Sequence, residues 1–167
     1  MTKTDLINIS KELFVKYFFI SHKFQYLCDY ELGKDQLTTK QALAIIAIEE
    51  GFSSPPSIRE VSDLLGTTRQ NITQLIYQLE KKGFLTTERD NNDKRNLRLK
   101  VTEKNQKYWE SRATEHDQFI YSLFATLTEE EIHVLRKLTD KLLENIDWLY
   151  KTVKNQSPEV ESGTSKD

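Results

Sequence analysis

The sequence contains few of the residues that mark several common functional classes. Its 167 residues include one cysteine, three prolines and five glycines. A single cysteine cannot form an intramolecular disulfide, which argues against a disulfide-stapled secreted scaffold. The glycines lie too far apart to form a phosphate-binding loop, because the P-loop and the dinucleotide-binding fingerprint both cluster their glycines. These two routes to nucleotide chemistry are therefore excluded.

Long hydrophobic runs are also missing. The longest apolar run covers residues 42–48, whereas a membrane span needs about 20 predominantly apolar residues. The amino terminus carries no apolar segment of the kind that marks a secretory signal peptide. These absences predict a cytoplasmic protein with no membrane partner.

Signatures of catalysis and metal binding are absent as well. His22, His116 and His133 show no His-Glu-x-x-His spacing, no Cys-x-x-Cys pair occurs, and no serine occupies a nucleophile elbow. We therefore predict that the protein is not an enzyme and carries no metal or cofactor. Cys28 precedes Asp29, whose charge favours the thiol, so a structural cysteine is favoured over a peroxide-sensing thiolate.

The residues that are present form helical patterns separated by glycine and proline. Apolar side chains recur at steps of three and four over residues 4–30, which predicts one long helix ended by Gly33. Thr38 is predicted to cap a second helix that runs through Glu49 and stops at Gly51. Much of this second helix is apolar and should lie inside, including Ala42, Ile45, Ile46 and Ile48.

Two short amphipathic helices follow, and a glycine separates them. The first covers residues 58–65 and ends at Gly66, whose freedom to adopt positive φ suits a tight turn. Thr68 is predicted to cap the second helix, and Gly83 ends it. Ser62 is small at the point where the two helices must approach closely.

The period then changes from 3.6 to 2, which is typical of strands. Residues 84–89 and 96–101 are predicted to pair as a hairpin with the polar tip 91–93. The second strand should bury the face that carries Leu97, Leu99 and Val101. Helical periodicity returns after the hairpin and again after Thr128, where Glu131 completes a capping box.

Two short helices followed at once by a hairpin are typical of a winged helix-turn-helix. The predicted fold class is therefore mainly α with a small β-hairpin wing. With Ile72 at the centre of the buried stripe, helix geometry places Gln74 and Tyr77 on the opposite face, where amides can bond adenine in the major groove. Basic hairpin residues nearby are expected to meet phosphates or the minor groove. The residues predicted to contact DNA are Thr68, Arg69, Gln70, Asn71, Thr73, Gln74, Tyr77, Arg89, Lys94, Arg95 and Arg98.

Charge is unevenly distributed along the chain. The whole chain has a formal net charge of −2, but residues 66–104 hold nine Lys and Arg against five Asp and Glu, a local excess of +4. A chain that is nearly neutral overall can therefore present a basic surface to DNA at residues 66–104, while the rest of the chain is acidic.

The sequence resembles the multiple antibiotic resistance regulator (MarR) family over residues 5–150. The resemblance is most specific in residues 64–73 (LLGTTRQNIT), 79–85 (LEKKGFL), 93–95 (DKR) and 99–104 (LKVTEK). It implies that residues 1–35 and 105–155 form a helical dimerisation domain, and that residues 36–104 form the winged helix-turn-helix domain. The tail at 156–167 has too little apolar content to pack and is expected to be disordered.

The resemblance also implies roles for single elements. The helix at 68–82 would enter the major groove, Arg95 would reach the minor groove, and Asp93 would hold the wing in shape. The sequence departs from the family at Asn105, where glycine is common, which affects the local turn. Cys28 lies near a zinc-sensing position of some members, but the expected histidine pair is missing, so no metal is predicted.

The first helix carries a dense aromatic cluster. A dimer core is the simpler interpretation of these side chains. The resemblance suggests a second interpretation, a pocket between the dimer helices and the winged domain that binds a small aromatic or amphipathic effector. The candidate pocket residues are Tyr17, Phe18, Phe24 and Tyr26.

Together these observations predict a sequence-specific DNA-binding transcriptional regulator. We expect a ligand-responsive homodimeric repressor on a pseudo-palindromic operator of double-stranded DNA, with half-sites about one helical turn apart. The alternative from another class is a winged-helix adaptor that binds a protein and not DNA. The two functions differ in salt-dependent DNA binding, which is expected of the regulator alone.

Two substitutions are predicted to change DNA binding in different ways. Arg95→Ala is expected to weaken binding to many sequences and to lower the salt slope, because a cation is lost from the interface. Gln74→Ala is expected to change base preference at one position by roughly 1 to 3 kcal/mol, because a bidentate contact is lost. Anisotropy titrations at several salt concentrations measure both effects, and unchanged affinity and slope for Arg95→Ala would remove that residue from the interface.

Overall fold

A computed structural model of the protein describes residues 1–34, 37–90, 94 and 96–156. The described residues form six helices and one two-stranded antiparallel sheet. In chain order the elements are α1 (Lys3–Gly33), α2 (Thr39–Glu50), α3 (Ile58–Leu64), α4 (Arg69–Lys82), β1 (Leu85–Arg89), β2 (Leu97–Val101), α5 (Glu103–Phe124) and α6 (Glu129–Gln156). This order confirms the predicted fold class, a mainly helical chain with a hairpin wing.

Three parts of the chain that carry sequence predictions lie outside the described residues. They are the hairpin tip at 91–93, Arg95, and the tail at 157–167. Gln156, where the tail was expected to begin, is the last residue of α6. Within the described part of the chain, no helix combines the length and the apolar content that a membrane span requires.

The chain divides into two compact units. The first unit covers residues 1–108 and contains α1 to α4, the hairpin and the first turns of α5. The second unit begins at Trp109 and contains the rest of α5 together with α6.

Local capping explains why the helices begin where they do. The hydroxyl groups of Thr38, Ser57 and Thr68 each accept a hydrogen bond from the backbone N–H three residues later. Thr128 and Glu131 form the predicted capping box of α6, with each backbone N–H bonded to the other residue's side chain. Such a cap satisfies donors that the first helical turn leaves free, so each helix start is set by nearby residues.

The core of the first unit lies where α2, α4 and the hairpin meet. Four fully enclosed side chains from these three elements form its centre: Ile45, Ile72, Leu79 and Leu99. The strands pair from Leu85 opposite Val101 to Arg89 opposite Leu97. On its other edge, β2 bonds the segment before α3, because the Leu99 N–H donates to the Pro56 carbonyl at 2.8 Å.

Two side chains expected inside are instead exposed. Ile46 and Leu97 each keep 40% of their surface accessible. Ile46 shares a face of α2 with the exposed Leu43 three residues earlier, and this face points to solvent in the single chain. Leu97 pairs with Arg89 at the end of the hairpin, so the buried face of β2 is centred on Leu99.

The second unit is largely an exposed helical surface. The rings of Trp109 and His116 meet edge to face on α5, with centroids 5.3 Å apart. α6 has 28 residues, of which none is buried within the single chain. A long amphipathic helix is stabilised chiefly by packing of its apolar face.

Two glycines adopt backbone conformations that other residues avoid. Gly66, between α3 and α4, has a φ of 61°, and Gly83, after α4, has a φ of 77°. Both lie where the sequence predicted a turn and a helix end. They let the chain change direction before and after α4, and so determine where this helix begins and ends.

Gly83→Ala is expected to lower the free energy of unfolding by about 1 to 2 kcal/mol, because a Cβ disfavours positive φ. A Cβ at this position would have ordinary contact with Lys104, at 3.5 Å, so the cost arises in the backbone. Gly33→Ala is the matched control, because its Cβ would meet nothing within 4 Å. Urea denaturation should show the control unchanged or more stable, and an equal loss in both variants would contradict this explanation.

Candidate nucleic-acid interface

The two helices of the helix-turn-helix unit are held by a short, closed turn. The backbone N–H of Thr67 donates to the carbonyl of Ser62 at 3.0 Å. Ser62 is buried, as expected for a small residue at the point of closest approach. Its hydroxyl donates to the Arg59 carbonyl within α3. The turn therefore presents the amino-terminal end of α4 at the surface of the unit.

α4 buries one side and exposes a polar side. Ile72, Ile76 and Leu79 are buried. The opposite side exposes every residue of α4 and its cap that the sequence predicted to contact DNA: Thr68, Arg69, Gln70, Asn71, Thr73, Gln74 and Tyr77. The structure thus brings the predicted reading residues together on one helix face.

Some of these side chains are engaged locally. Asn71 donates through Nδ2 to the Thr67 hydroxyl at 3.1 Å. The Thr73 hydroxyl donates to the Arg69 carbonyl at 2.8 Å. Gln74 is exposed on the same face, as is Tyr77, of which 66% is accessible. Amide and hydroxyl groups in this position match the donors and acceptors of base edges in a major groove.

The hairpin of the same unit also carries exposed cations. Arg89, at the end of β1, and Lys94 are both exposed. Arg95 and Asp93, the predicted minor-groove residue and its support, lie outside the described residues. Cations at these positions can neutralise phosphates beside a helix that occupies the groove.

Arg98 is bonded within the chain. Its Nε donates to the Asp90 carboxylate, and its Nη1 donates to Glu60 at 3.0 Å and to the Pro55 carbonyl at 3.4 Å. The guanidinium therefore ties β2 to the start of α3. A phosphate contact by Arg98 would compete with these bonds, which the sequence pattern did not reveal.

Other cations of the basic segment also have partners within the chain. Lys82 donates to the side-chain oxygen of Gln41 at 2.9 Å, and Lys100 pairs with Glu88. Lys104 donates to the Lys82 carbonyl. Glu88 is already subtracted in the local excess of +4, so these bonds leave the net charge unchanged, but they hold Lys82, Lys100 and Lys104 within the unit.

Comparison with known proteins identifies the family. The MarR family profile matches residues 35–96. The transcriptional repressor MprA of Escherichia coli K12 is 32% identical over 110 residues, which cover 66% of this chain and 61% of MprA. Residues 35–96 of the chain belong to the MarR family.

Solved structures of transcriptional regulators share the fold described above. The transcriptional regulator SlyA superposes with a TM-score of 0.73 at 20% identity, covering 84% of this chain and 98% of SlyA. A mutant of MarR from E. coli, crystallised with operator DNA, gives a TM-score of 0.71 at 22% identity, covering 83% of this chain and 98% of that one. These likenesses confirm the winged-helix fold.

A groove runs along α4. Its volume is about 500 Å³, and its walls come from α2, the turn before α4, and α4, with Leu43, Leu65 and Leu75 as apolar members. The four candidate effector residues of α1 do not line it. Tyr17, Phe18 and Tyr26 are exposed and Phe24 is half-buried in the single chain, so their role in an effector pocket stays a prediction.

The cysteine lies in surroundings that disfavour a reactive thiolate. Burial, and secondly the negative charge of Asp29, raise the pKa of the Cys28 thiol. A raised pKa leaves less thiolate at neutral pH, which is the form that reacts with peroxide or binds zinc. Among the described residues, no group of three or more His, Cys, Asp and Glu side chains could hold a metal ion.

Asn105, the departure from the family pattern, is fully buried in the first turn of α5. Its backbone N–H donates to the Thr102 hydroxyl at 3.3 Å, and its side-chain amide donates to Glu49 at 3.5 Å. Glycine could not make the second bond. The residue therefore joins the end of α2 to the beginning of α5.

The described contacts predict different roles for two arginines of the wing. Arg89→Ala is expected to reduce the salt slope of DNA binding by about 0.9, because an exposed phosphate contact is lost. Arg98→Ala is expected to change the slope by less than half of that, while amide hydrogen exchange in β1 and β2 becomes faster. Anisotropy titrations and hydrogen exchange measure these effects; equal slope losses in both variants would show that Arg98 also contacts phosphate.

Proposed function

We propose that this chain is a sequence-specific DNA-binding transcriptional regulator of the MarR family. The observation that carries the proposal is the exposed polar face of α4, which includes Gln74 and Tyr77, in a unit whose hairpin also exposes the cations Arg89 and Lys94. α4 would lie in the major groove, where amide side chains read base edges. The hairpin would contact phosphates beside it and, through Arg95, the minor groove.

The names of the relatives agree with this function. MprA is named as a transcriptional repressor, and the E. coli MarR mutant was crystallised with operator DNA. The alignment spans 61% of the length of MprA, so we extend its role to this chain as a proposal. Repression follows if the operator overlaps a promoter, because the bound protein then occludes polymerase.

We further propose that the active form is a homodimer. Many apolar residues of α1 and α6 stay exposed in the single chain, and large exposed apolar patches mark interaction sites. In α6 the exposed apolar side chains include Leu135, Leu138, Leu142, Ile146 and Leu149. A twofold dimer would bury both helices and pair its two α4 helices with a pseudo-palindromic operator in the cytoplasm.

An effector would act on this dimer by population shift. A small aromatic or amphipathic ligand near Tyr17, Phe18, Phe24 and Tyr26 would favour one spacing of the two α4 helices over another. Operator affinity would then change only by the ligand's differential affinity for the two states.

DNA binding is tested with the full chain and a duplex from the region upstream of its own gene. Anisotropy titrations between about 50 and 200 mM salt should give a log affinity that falls linearly with log salt concentration. The same composition in scrambled order is the control duplex and should bind more weakly. Binding that is absent at every salt concentration would contradict the proposal and favour a protein-interaction adaptor.

The dimer is tested by a substitution that places a charge in the apolar face of α6. Ile146→Lys should sediment as a monomer of 19.6 kDa, and its operator affinity should fall by at least about tenfold, because one half-site is lost. Glu144→Lys, on the opposite face of the same helix, is the matched control and should remain dimeric. A wild-type chain that sediments as a monomer at operator-binding concentrations would refute the dimer.

A further inference from the structure

A polar side chain lies buried at the beginning of α2. Gln41 is only 3% exposed, although glutamine is usually a surface residue. Burial of an amide is costly unless each of its polar atoms has a hydrogen-bond partner. The contacts of Gln41 therefore need an explanation beyond the packing of the core.

The amide of Gln41 bonds α4 at two positions one turn apart. Its Nε2 donates to the Oε1 of Gln78 at 2.7 Å. Its Oε1 accepts from the ammonium group of Lys82 at 2.9 Å. Because Gln78 and Lys82 lie at i and i+4 of α4, the two bonds fix both the rotation and the height of α4 against α2.

The same residue belongs to the cap of α2. The Oε1 of Gln41 also accepts from the backbone N–H of Thr38 at 3.3 Å, and the Gln41 N–H donates to the Thr38 hydroxyl at 3.3 Å. A sequence motif that ordinarily serves only to start a helix here also reaches a second helix. A rotation of α4 would therefore disturb the start of α2.

The start of α2 is in turn bonded to α1. The backbone N–H of Thr39 donates to the carboxylate of Asp29 at 2.6 Å. The Thr39 hydroxyl donates to the carbonyl of Gln25 at 3.2 Å. A continuous set of hydrogen bonds thus runs from α1, through the first turn of α2, to α4.

We propose that Gln41 is a positioning residue that fixes α4 relative to α1 and thereby sets the operator spacing the protein accepts. The proposal rests on the function proposed above, in which α1 belongs to the dimer interface and α4 enters the major groove. In a twofold dimer, the separation of the two α4 helices depends on the angle between α1 and α4 within each chain. A small change of that angle is doubled by the symmetry.

The spacing matters because successive major grooves recur at one helical turn of DNA. A dimer with rigid joints matches one separation of half-sites and loses affinity when base pairs are inserted or removed. A dimer in which α4 can change its angle to α1 binds operators with several half-site separations, but it binds the optimal operator with lower affinity. Gln41 is thus expected to determine specificity for spacing, while the exposed residues of α4 determine specificity for bases.

The test uses duplexes that the wild-type chain selects from a random pool. From the best duplex, variants are made with one base pair added to or removed from the centre, and affinities are measured by anisotropy. The wild-type chain should lose roughly tenfold or more for each change of spacing. Gln41→Met, which keeps the length of the side chain but removes its hydrogen bonds, should lose less than about threefold.

Two further variants separate positioning from general destabilisation. Gln41→Glu keeps an oxygen that accepts from Lys82 and Thr38, and Gln78 can rotate its amide to donate, so the wild-type spacing preference should return. Gln78→Met removes one of the two bonds to α4. Its loss of affinity on a change of spacing should therefore lie between the losses of the wild-type chain and of Gln41→Met. A stability defect alone would lower the affinity for all duplexes by the same factor.

The outcomes distinguish this inference from the function on which it rests. If the wild-type chain selects no duplex, the proposed function is wrong and the inference falls with it. If the wild-type chain binds with a sharp spacing preference that Gln41→Met retains, the inference alone is wrong. If Gln41→Met flattens the preference and Gln41→Glu restores it, the positioning role is confirmed.

Discussion

The packing of α2 against α4 is the constraint on which the rest of the winged unit depends. Ile45 on α2 and Ile72 and Leu79 on α4 are fully enclosed, and Leu99 closes the same core from the hairpin. Removal of such side chains from water supplies roughly 1.5 to 3 kcal/mol each. Once α4 is held by its apolar side, its polar side must face outward, and the reading surface follows from the burial of the core.

Hydrogen bonds between side chains of different elements add directional constraints to this packing. Apolar contacts determine which side of α4 is buried but are not directional, so hydrogen bonds define its rotation and height more closely. The amide of Gln41 at one end of α2 and the Asn105–Glu49 bond at the other connect α2 to α4 and α5. Arg98 does the same for the hairpin, which it ties to the start of α3 through Glu60. A residue such as Arg98, which the sequence predicts as a DNA contact, can therefore instead hold the elements of the candidate interface together.

The order of the elements and most of their limits could be predicted from the sequence because their causes are local. Thr38, Thr68 and Thr128 cap helices through backbone groups three residues away, and Gly66 and Gly83 end segments through their own φ angles. The polar face of α4 also follows from helix geometry once Ile72 is taken as its buried side. Ile46 and Leu97 were expected inside and are exposed, since burial depends on which neighbour covers each face and not on hydropathy alone.

By itself, the sequence determined the winged helix-turn-helix fold and the residues that face outward on α4. Only the tertiary structure decided which charged and polar groups are available for a partner. Gln41 and Gln78 are 37 residues apart in the chain, and Arg98 and Glu60 are 38 apart. Capping and periodicity operate over a few residues, whereas a hydrogen bond between distant segments forms only after the core has brought them within about 3 Å. For this reason the sequence predicted Arg98 as a DNA contact and indicated no role for Gln41.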